Sequence, residues 1–280
     1  MDNSKAKLFI WTEPRTRSTA VLRCLSNRDD VKAFFEPYYH VSLSGRAEDR
    51  LHNSCIENGI VEEDPNLSKK SVYMDIEENH KVHHVVVKDL ISALNCDYSF
   101  LPEDATNVIL IRNPGAVISS YMKMSLSEIS IGPMLLRSAG SGKRRRKQIS
   151  GHEALLDLYR FLKERGSKVA IIDSNDICRK SADVIHYICD FSGLPYQKNM
   201  LRWSSLQSGE FPSNWWFTNS FYQMAKGSTA LEAAFKSTNF SNVVDPEEFD
   251  FSKALPEASN VYEKQLYFYK ELFKEKQIFE

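Results

Sequence analysis

The sequence is poor in glycine, with 11 in 280 residues, and none of them builds a GxxxxGK[ST] loop. The one Gly-Lys pair, Gly142–Lys143, is followed by Arg144 and has Arg137 where the first glycine belongs. That absence disfavours an ATPase or GTPase built on this loop. Net charge is also missing: 36 basic residues face 37 acidic ones, for a formal charge of −1. No bulk charge argues for nucleic acid, so any anion site must be local. The five cysteines, Cys24, Cys55, Cys96, Cys178 and Cys189, are odd in number and widely spaced, without a CxxC pair. A disulfide framework or a zinc site is therefore not expected, no metal-ligand cluster is visible, and a reducing compartment fits best. No apolar run approaches the roughly 20 residues of a membrane span. The apolar run Leu8–Trp11 falls short of the roughly 7–15 residues of a secretory signal. The expectation is a soluble, cytoplasmic protein without a membrane or nucleic-acid partner; its oligomeric state is not legible.

What the chain does contain is an alternation of short apolar runs with helical patterns. Leu8–Thr12, Val31–Phe35, His83–Lys88, Asn107–Ile111 and Lys168–Ile172 read as strands. Ser18–Ser26, Pro114–Met124, Glu153–Arg165, Ala182–Ser192 and Tyr262–Lys274 read as helices. Pro114 suits a first helical turn, and Gly193 with Pro195 stops the helix before them. Apolar strands each followed by a helix predict a three-layer α/β/α fold around a central parallel sheet of about five strands. One domain over residues 1–280 is expected. Within it, 40–80 reads as an insertion, and the Trp- and Phe-rich stretch 203–260 as a lid or substrate wall. In such sheets ligands sit at the carboxyl ends of the strands.

Two post-strand segments stand out. Thr12–Thr19 (TEPRTRST) joins the first strand to its helix. A helix N-terminus presents unpaired N–H groups and a positive dipole end, which attract anions. Arg15 and Arg17 add forked cations, and Thr16, Ser18 and Thr19 add hydroxyls, Ser18 doubling as a candidate helix cap. The bland alternative is a surface loop with solvated arginines. Arg112 ends the fourth strand, and Ser120 follows eight residues later in RNPGAVISSY. Spacing alone does not fix whether these two meet on one anion.

Taken together, PRTRST after the first strand and RNPGAVISSY after a later one resemble the sulfotransferases that use 3′-phosphoadenosine-5′-phosphosulfate (PAPS). The segment Gly193–Trp203 is similar to the one following the last core helix in bacterial- and plant-type members. The resemblance implies a P-loop-NTPase-like fold and no metal. It implies that Arg15, Thr16, Arg17, Ser18 and Thr19 hold the 5′-phosphosulfate, and that Arg112 and Ser120 hold the 3′-phosphate. It also implies that Lys88 steadies the transferring group. A Gly-rich basic segment near the C-terminus, frequent in the family, is absent; the basic run Lys143–Lys147 is an alternative that would close over the nucleotide, or a solvated loop.

Sulfuryl transfer requires a base for the acceptor proton, and Glu36, after the second strand and among aromatics, is the first candidate. His40 and Asp89 stand in reserve. The alternative for Glu36 is a carboxylate paired with Arg15 or Arg17. The expected activity is transfer from PAPS, leaving 3′,5′-adenosine bisphosphate (PAP), to a small-molecule hydroxyl or amine acceptor of apolar or aromatic character. A small-molecule kinase of similar fold and a non-catalytic nucleotide-binding protein are the competing readings.

Overall fold

The structure, a computed structural model, describes residues 5–51, 53–125, 151–207, 210–219, 221–222, 229–250 and 256–279. In chain order the elements are β1 (Lys7–Thr12), α1 (Ser18–Leu25), β2 (Val31–Phe35), α2 (Pro37–Ser44), α3 (Ser54–Glu57), α4 (Lys69–His80) and β3 (His84–Leu90). Then come β4 (Thr106–Ile111), α5 (Pro114–Ser125), α6 (Gly151–Glu164), β5 (Val169–Asp173), α7 (Ser174–Arg179), α8 (Ser181–Ser192), β6 (Trp215–Trp216), α9 (Thr229–Lys236) and α10 (Pro256–Lys274). The basic run Lys143–Lys147 lies outside the described residues.

The strands form one parallel sheet in the order β5-β4-β1-β3-β2-β6. Residues alternate between its faces, because successive strand side chains point opposite ways. Leu8, Ile10, Ala33, Phe35, Val86, Val108, Leu110 and Ile172 pack on α1, α7 and α8. Phe9, Trp11, Phe34, Val85, Val87, Ile109, Ile111 and Ile171 pack on α2, α4, α6 and α10. Both faces are therefore dry, which explains why the strands read as unbroken apolar runs. The three-layer expectation holds, with one strand more than expected. The sixth strand is Trp215–Trp216, too short to carry a periodic signal. It belongs to a stretch expected to form a lid. Within that stretch Trp203, Trp215, Phe221, Phe235 and Phe240 are core residues over α1. Asn214 fastens that edge by donating from Nδ2 to the carbonyls of Ser26, Arg28 and Val31.

The register sets the height of the loops. Thr12 is level with Leu90 of β3 and with Leu110 of β4. The segments leaving β1 and β4 therefore emerge side by side at the carboxyl edge. The third strand runs two residues further than expected, so Lys88 and Asp89 lie within it rather than at its end.

Arg23 of α1 ties the 203–237 stretch to this frame. Its guanidinium is buried and donates to the carbonyls of Ser204, Ala234, Phe235 and Ser237. Burial pushes its pKa down to about 10. Truncation removes this shared donor; Phe235 keeps the Leu206 N–H and Ala234 the Ser237 hydroxyl, while the Ser204 and Ser237 carbonyls lose theirs. Arg23→Ala is expected to cost about 3 kcal/mol of unfolding free energy, read as a lower urea midpoint with an unchanged slope.

Candidate functional site

The loop after β1 is built from unusual backbone. Arg15 and Arg17 both adopt left-handed conformations, at φ 69° and 66°. Non-glycine residues accept that strain chiefly where surrounding contacts fix it. Here Thr12 and Thr16 supply them. Their hydroxyls lie against each other, and each oxygen is 3.0 Å from the Glu13 carbonyl, so the two protons are shared among these three oxygens. Thr16 is buried and spent on shaping the loop. Arg17, not Ser18, is the N-cap of α1, and no side chain caps that end. The N-terminal amides of α1 are left facing the loop, as an anion cradle requires.

The arginines pair across the two post-strand segments. Arg15 Nε donates to Ser120 Oγ at 2.9 Å, so Ser120 meets Arg15 rather than Arg112. Arg112 turns to the loop instead, donating from Nη1 to the Arg15 carbonyl at 2.6 Å. Arg17 and Arg112 then converge on a single carboxylate, that of Asp245. Arg112 donates from Nε and Nη2, both at 2.7 Å. Arg17 donates from Nη1 at 2.9 Å and from Nη2 at 3.1 Å. Burial alone would raise the Asp245 carboxyl, yet the bonds and charges of Arg112 and Arg17 hold it below the usual carboxylate range. Ser174 Oγ and the Val243 carbonyl also accept from Arg17, at 3.3 and 2.9 Å. The ends of β1, β4 and β5 thus meet in one cationic pocket.

Beneath it lies a buried imidazole. His152 of α6 places Nε2 2.9 Å from the Arg112 carbonyl, and Nδ1 2.7 Å from Gln265 Oε1 and 2.9 Å from Glu13 Oε1. The backbone N–H of His152 also donates to Gln265 Oε1, which fixes that atom as the oxygen. Both ring nitrogens face acceptors, so both carry protons. Burial opposes the charge, but Glu13, Gln265 and the Arg112 carbonyl outweigh it and raise the pKa. Glu13 lies so close to Gly151 that a β-carbon there would sit 2.1 Å from Oε1. His152 therefore joins the loop after β1 to the segment after β4.

The second half of the site is at β2 and β3. Glu36 caps α2 in a left-handed conformation, at φ 52°. Its Oε1 pairs with Lys88 Nζ, both side chains buried, and Lys88 also lies 5.1 Å over the Phe35 ring. Glu36 pairs with neither Arg15 nor Arg17. Asp89 is committed elsewhere. Its carboxylate accepts the backbone N–H groups of Tyr38 at 2.6 Å, Tyr39 at 3.2 Å and Leu90 at 2.7 Å, so it holds the start of α2. Burial and the Glu36 charge push its pKa up, against those bonds and Lys88. His40 is fully buried, stacked on Phe221 at 4.0 Å and Trp216 at 5.7 Å. Its Nδ1 accepts the Thr218 N–H at 3.3 Å, and burial with the Lys88 charge holds its pKa well below the usual range. The neutral ring therefore carries its proton on Nε2, which has no partner among the described residues. His40 offers a donor, not a lone pair. Asp89 is thus engaged with the first turn of α2, and His40 Nδ1 with the Thr218 amide. Tyr121 of α5 links the halves: burial first, then Glu13, Tyr39 and Glu36, raise its pKa, while Arg15 lowers it.

Glu13, His152, Ser174 and Asp245 were absent from the sequence candidates. Asp245 is 228 residues from Arg17 in sequence, and nothing near it marks an arginine partner. Among the described residues no group of histidine, cysteine and carboxylate side chains is arranged for a metal, and no helix is long and apolar enough to cross a membrane.

A family model described as Sulfotransferase domain matches residues 6–138. In Arabidopsis thaliana, the Branched-chain-amino-acid aminotransferase-like protein 2 is 24% identical over 240 residues, covering 84% of this chain and 36% of its own. The like-named protein 1 is 23% identical over 215 residues, covering 75% and 34%. The chain spans about a third of the length of these relatives. The solved structure of mouse sulfotransferase SULT7A1 complexed with PAP matches with a TM-score of 0.50 at 11% identity, covering 97% of this chain and 90% of that one. At that identity the likeness is one of fold.

The His152 network has a pH signature. A raised folded-state pKa stabilises the protein below the unfolded value, and this contribution is lost as pH rises through the folded value. The melting temperature is expected to fall as pH rises from the ordinary histidine value of 6.5. His152→Gln should be less stable at the acid end and lack that fall. A scan of melting temperature against pH on both proteins checks it, and parallel curves would contradict the charged imidazole.

Proposed function

Starting from a chain with the sulfotransferase-family fold, we propose that it transfers a sulfuryl group from PAPS to a small hydroxylated or amino acceptor. The observation that carries this reading is the meeting of Arg17 and Arg112, from two different strand ends, on one anionic group. Two forked cations beside a helix N-terminus suit the phosphate and sulfate oxygens of such a donor. In this reading Arg15, Arg17, Arg112 and Ser120 hold the charged ends of the nucleotide. The amides of Ser18 and Thr19 face its phosphosulfate, and Thr16 shapes the loop.

Glu36 is the base. Its carboxylate takes the proton of the acceptor, whose oxygen or nitrogen forms the new bond to sulfur. The bond from sulfur to the bridging phosphate oxygen breaks, and its electron pair stays on the phosphate of PAP. Lys88, paired with Glu36, neutralises that developing charge. Catalysis of this kind rests on position and electrostatics, as in phosphoryl transfer. The aromatic side chains around His40, Trp216 and Phe221, lie next to the helix that Glu36 caps and favour an apolar or aromatic acceptor. His40 Nε2–H is available there as a hydrogen-bond donor. Cys24, Cys96, Cys178 and Cys189 are free thiols, in keeping with a reducing, cytoplasmic setting.

The test is calorimetric titration with PAP, followed by a screen of hydroxylated acceptors with labelled PAPS. The wild-type protein is expected to bind PAP. Arg112→Ala should weaken binding by about 10- to 100-fold through loss of charged hydrogen bonds. Glu36→Gln should keep PAP binding while lowering turnover by about 10²- to 10⁴-fold. PAP binding indifferent to Arg112→Ala would remove the nucleotide assignment. Turnover indifferent to Glu36→Gln would remove the base.

A further inference from the structure

We propose that Val243–Glu247 is a built-in occupant of the nucleotide site, with Asp245 standing where a phosphate of the nucleotide binds. The inference rests on reading Arg17 and Arg112 as nucleotide ligands, and it starts from a count of donors. A guanidinium has four terminal N–H groups and one on Nε. The terminal nitrogens of Arg17 make four bonds: two to Asp245, one to Ser174 Oγ and one to the Val243 carbonyl. Only Nε remains for another acceptor. Arg112 spends Nε and Nη2 on Asp245 and Nη1 on the Arg15 carbonyl. The Asp245 carboxylate in turn receives four N–H bonds, about its full acceptor capacity. The two forks already see a complete anion. A phosphate cannot engage the terminal nitrogens of Arg17 until Asp245 and Val243 leave.

The segment is placed so that it can leave. Val243 is 69% exposed, and Ser241, Asn242, Pro246, Glu247 and Glu248 are exposed as well. Residues 241–246 have no helix or strand. Beyond the two arginines, the segment is held by polar side chains. Asn175 accepts the Asp245 N–H at 2.9 Å and donates to its carbonyl at 3.4 Å, and Asn113 donates to the Glu247 carbonyl at 3.1 Å. Its flanks are fixed by apolar contacts: Phe240 is buried in the core, and the Phe249 ring lies on Gly115, where a β-carbon would sit 2.2 Å from the ring. The stretch between is a strap whose central fastening is one carboxylate. A phosphate carries more charge than a carboxylate and makes stronger bonds to the same forks, so exchange favours the nucleotide. Nucleotide affinity is then reduced by the fraction of molecules whose strap is closed.

A structural role for Asp245, aligning the arginines, predicts the opposite effect on affinity. Titration of PAP into the wild type, Asp245→Asn and Asp245→Ala separates the two. Both variants are expected to bind PAP about tenfold more tightly or better, as for a strap closed in most molecules. Hydrogen exchange on the wild-type protein is the second measurement, and it needs no variant to fold. Adding PAP should deprotect the Asp245 amide, as its bond to Asn175 opens. Equal or weaker PAP binding by the variants, or an Asp245 amide that gains protection, overturns the strap. If no protein binds PAP, the nucleotide reading fails on its own terms, and pyrophosphate is titrated as a bare anion. Tighter pyrophosphate binding by Asp245→Ala than by the wild type then supports the carboxylate–anion exchange; equal or absent binding overturns that too.

Discussion

Arg17 and Arg112 are two like charges held side by side at the carboxyl edge of a sheet, and that placement demands an anion between them. Neither side chain reaches the pocket alone. Arg17 is aimed by a strained, left-handed residue at the start of α1. Arg112 is aimed by its place just past the end of β4 and by its bond to the Arg15 carbonyl. Like charges in a half-buried pocket repel strongly unless neutralised, since the effective dielectric is well below that of water. The geometry therefore constrains what surrounds it. The Thr12–Thr16 pair supports the strained turn, and His152 beneath bonds the Arg112 carbonyl with Glu13 close beside its other ring nitrogen. The surface strap supplies the counter-charge. The cations themselves are preorganised in this way, so an incoming anion has only the strap to displace and the arginines need not move.

The fold was legible because its signals are local and repeated. Five of the six strands are apolar runs, and that character follows directly from burial on both faces. Helices such as α5 and α8 carry their own punctuation in Pro114 and Gly193. The sixth strand escaped because two residues hold no period and because Trp215 and Trp216 read equally well as a lid. What recruited them to the sheet was Asn214, whose three bonds to the β2 side are invisible without coordinates. The site was legible only as far as a motif reaches. Arg15, Arg17, Arg112 and Ser120 do come together, but their pairing was not readable. Spacing along a chain says nothing about which fork turns to which oxygen. His152 and Asp245 were out of reach for a further reason: each acts through partners 40 to 228 residues away, and neither sits in a distinctive pattern.

Glu36, Lys88 and Asp89 make the complementary argument from energy. They are charged or titratable side chains on adjoining positions of β2 and β3, and all three are buried. Burying such groups is costly even when they are paired, and apolar replacements of similar volume commonly match or exceed the stability of a buried ion pair. Asp89 has an architectural use, since it holds the first turn of α2 and with it the backbone of Glu36. The Glu36–Lys88 pair has none of comparable weight: its contacts are to each other and to one aromatic ring. Local rules broken without a structural gain mark functional positions. The strained φ of Glu36 belongs to the same account, because a residue with ordinary backbone would cap α2 at less cost. Strain, burial and charge coincide at one carboxylate, next to a neutral histidine that has already given its lone pair away. That coincidence, rather than the motif beside it, is the physical reason for proposing Glu36 as the base.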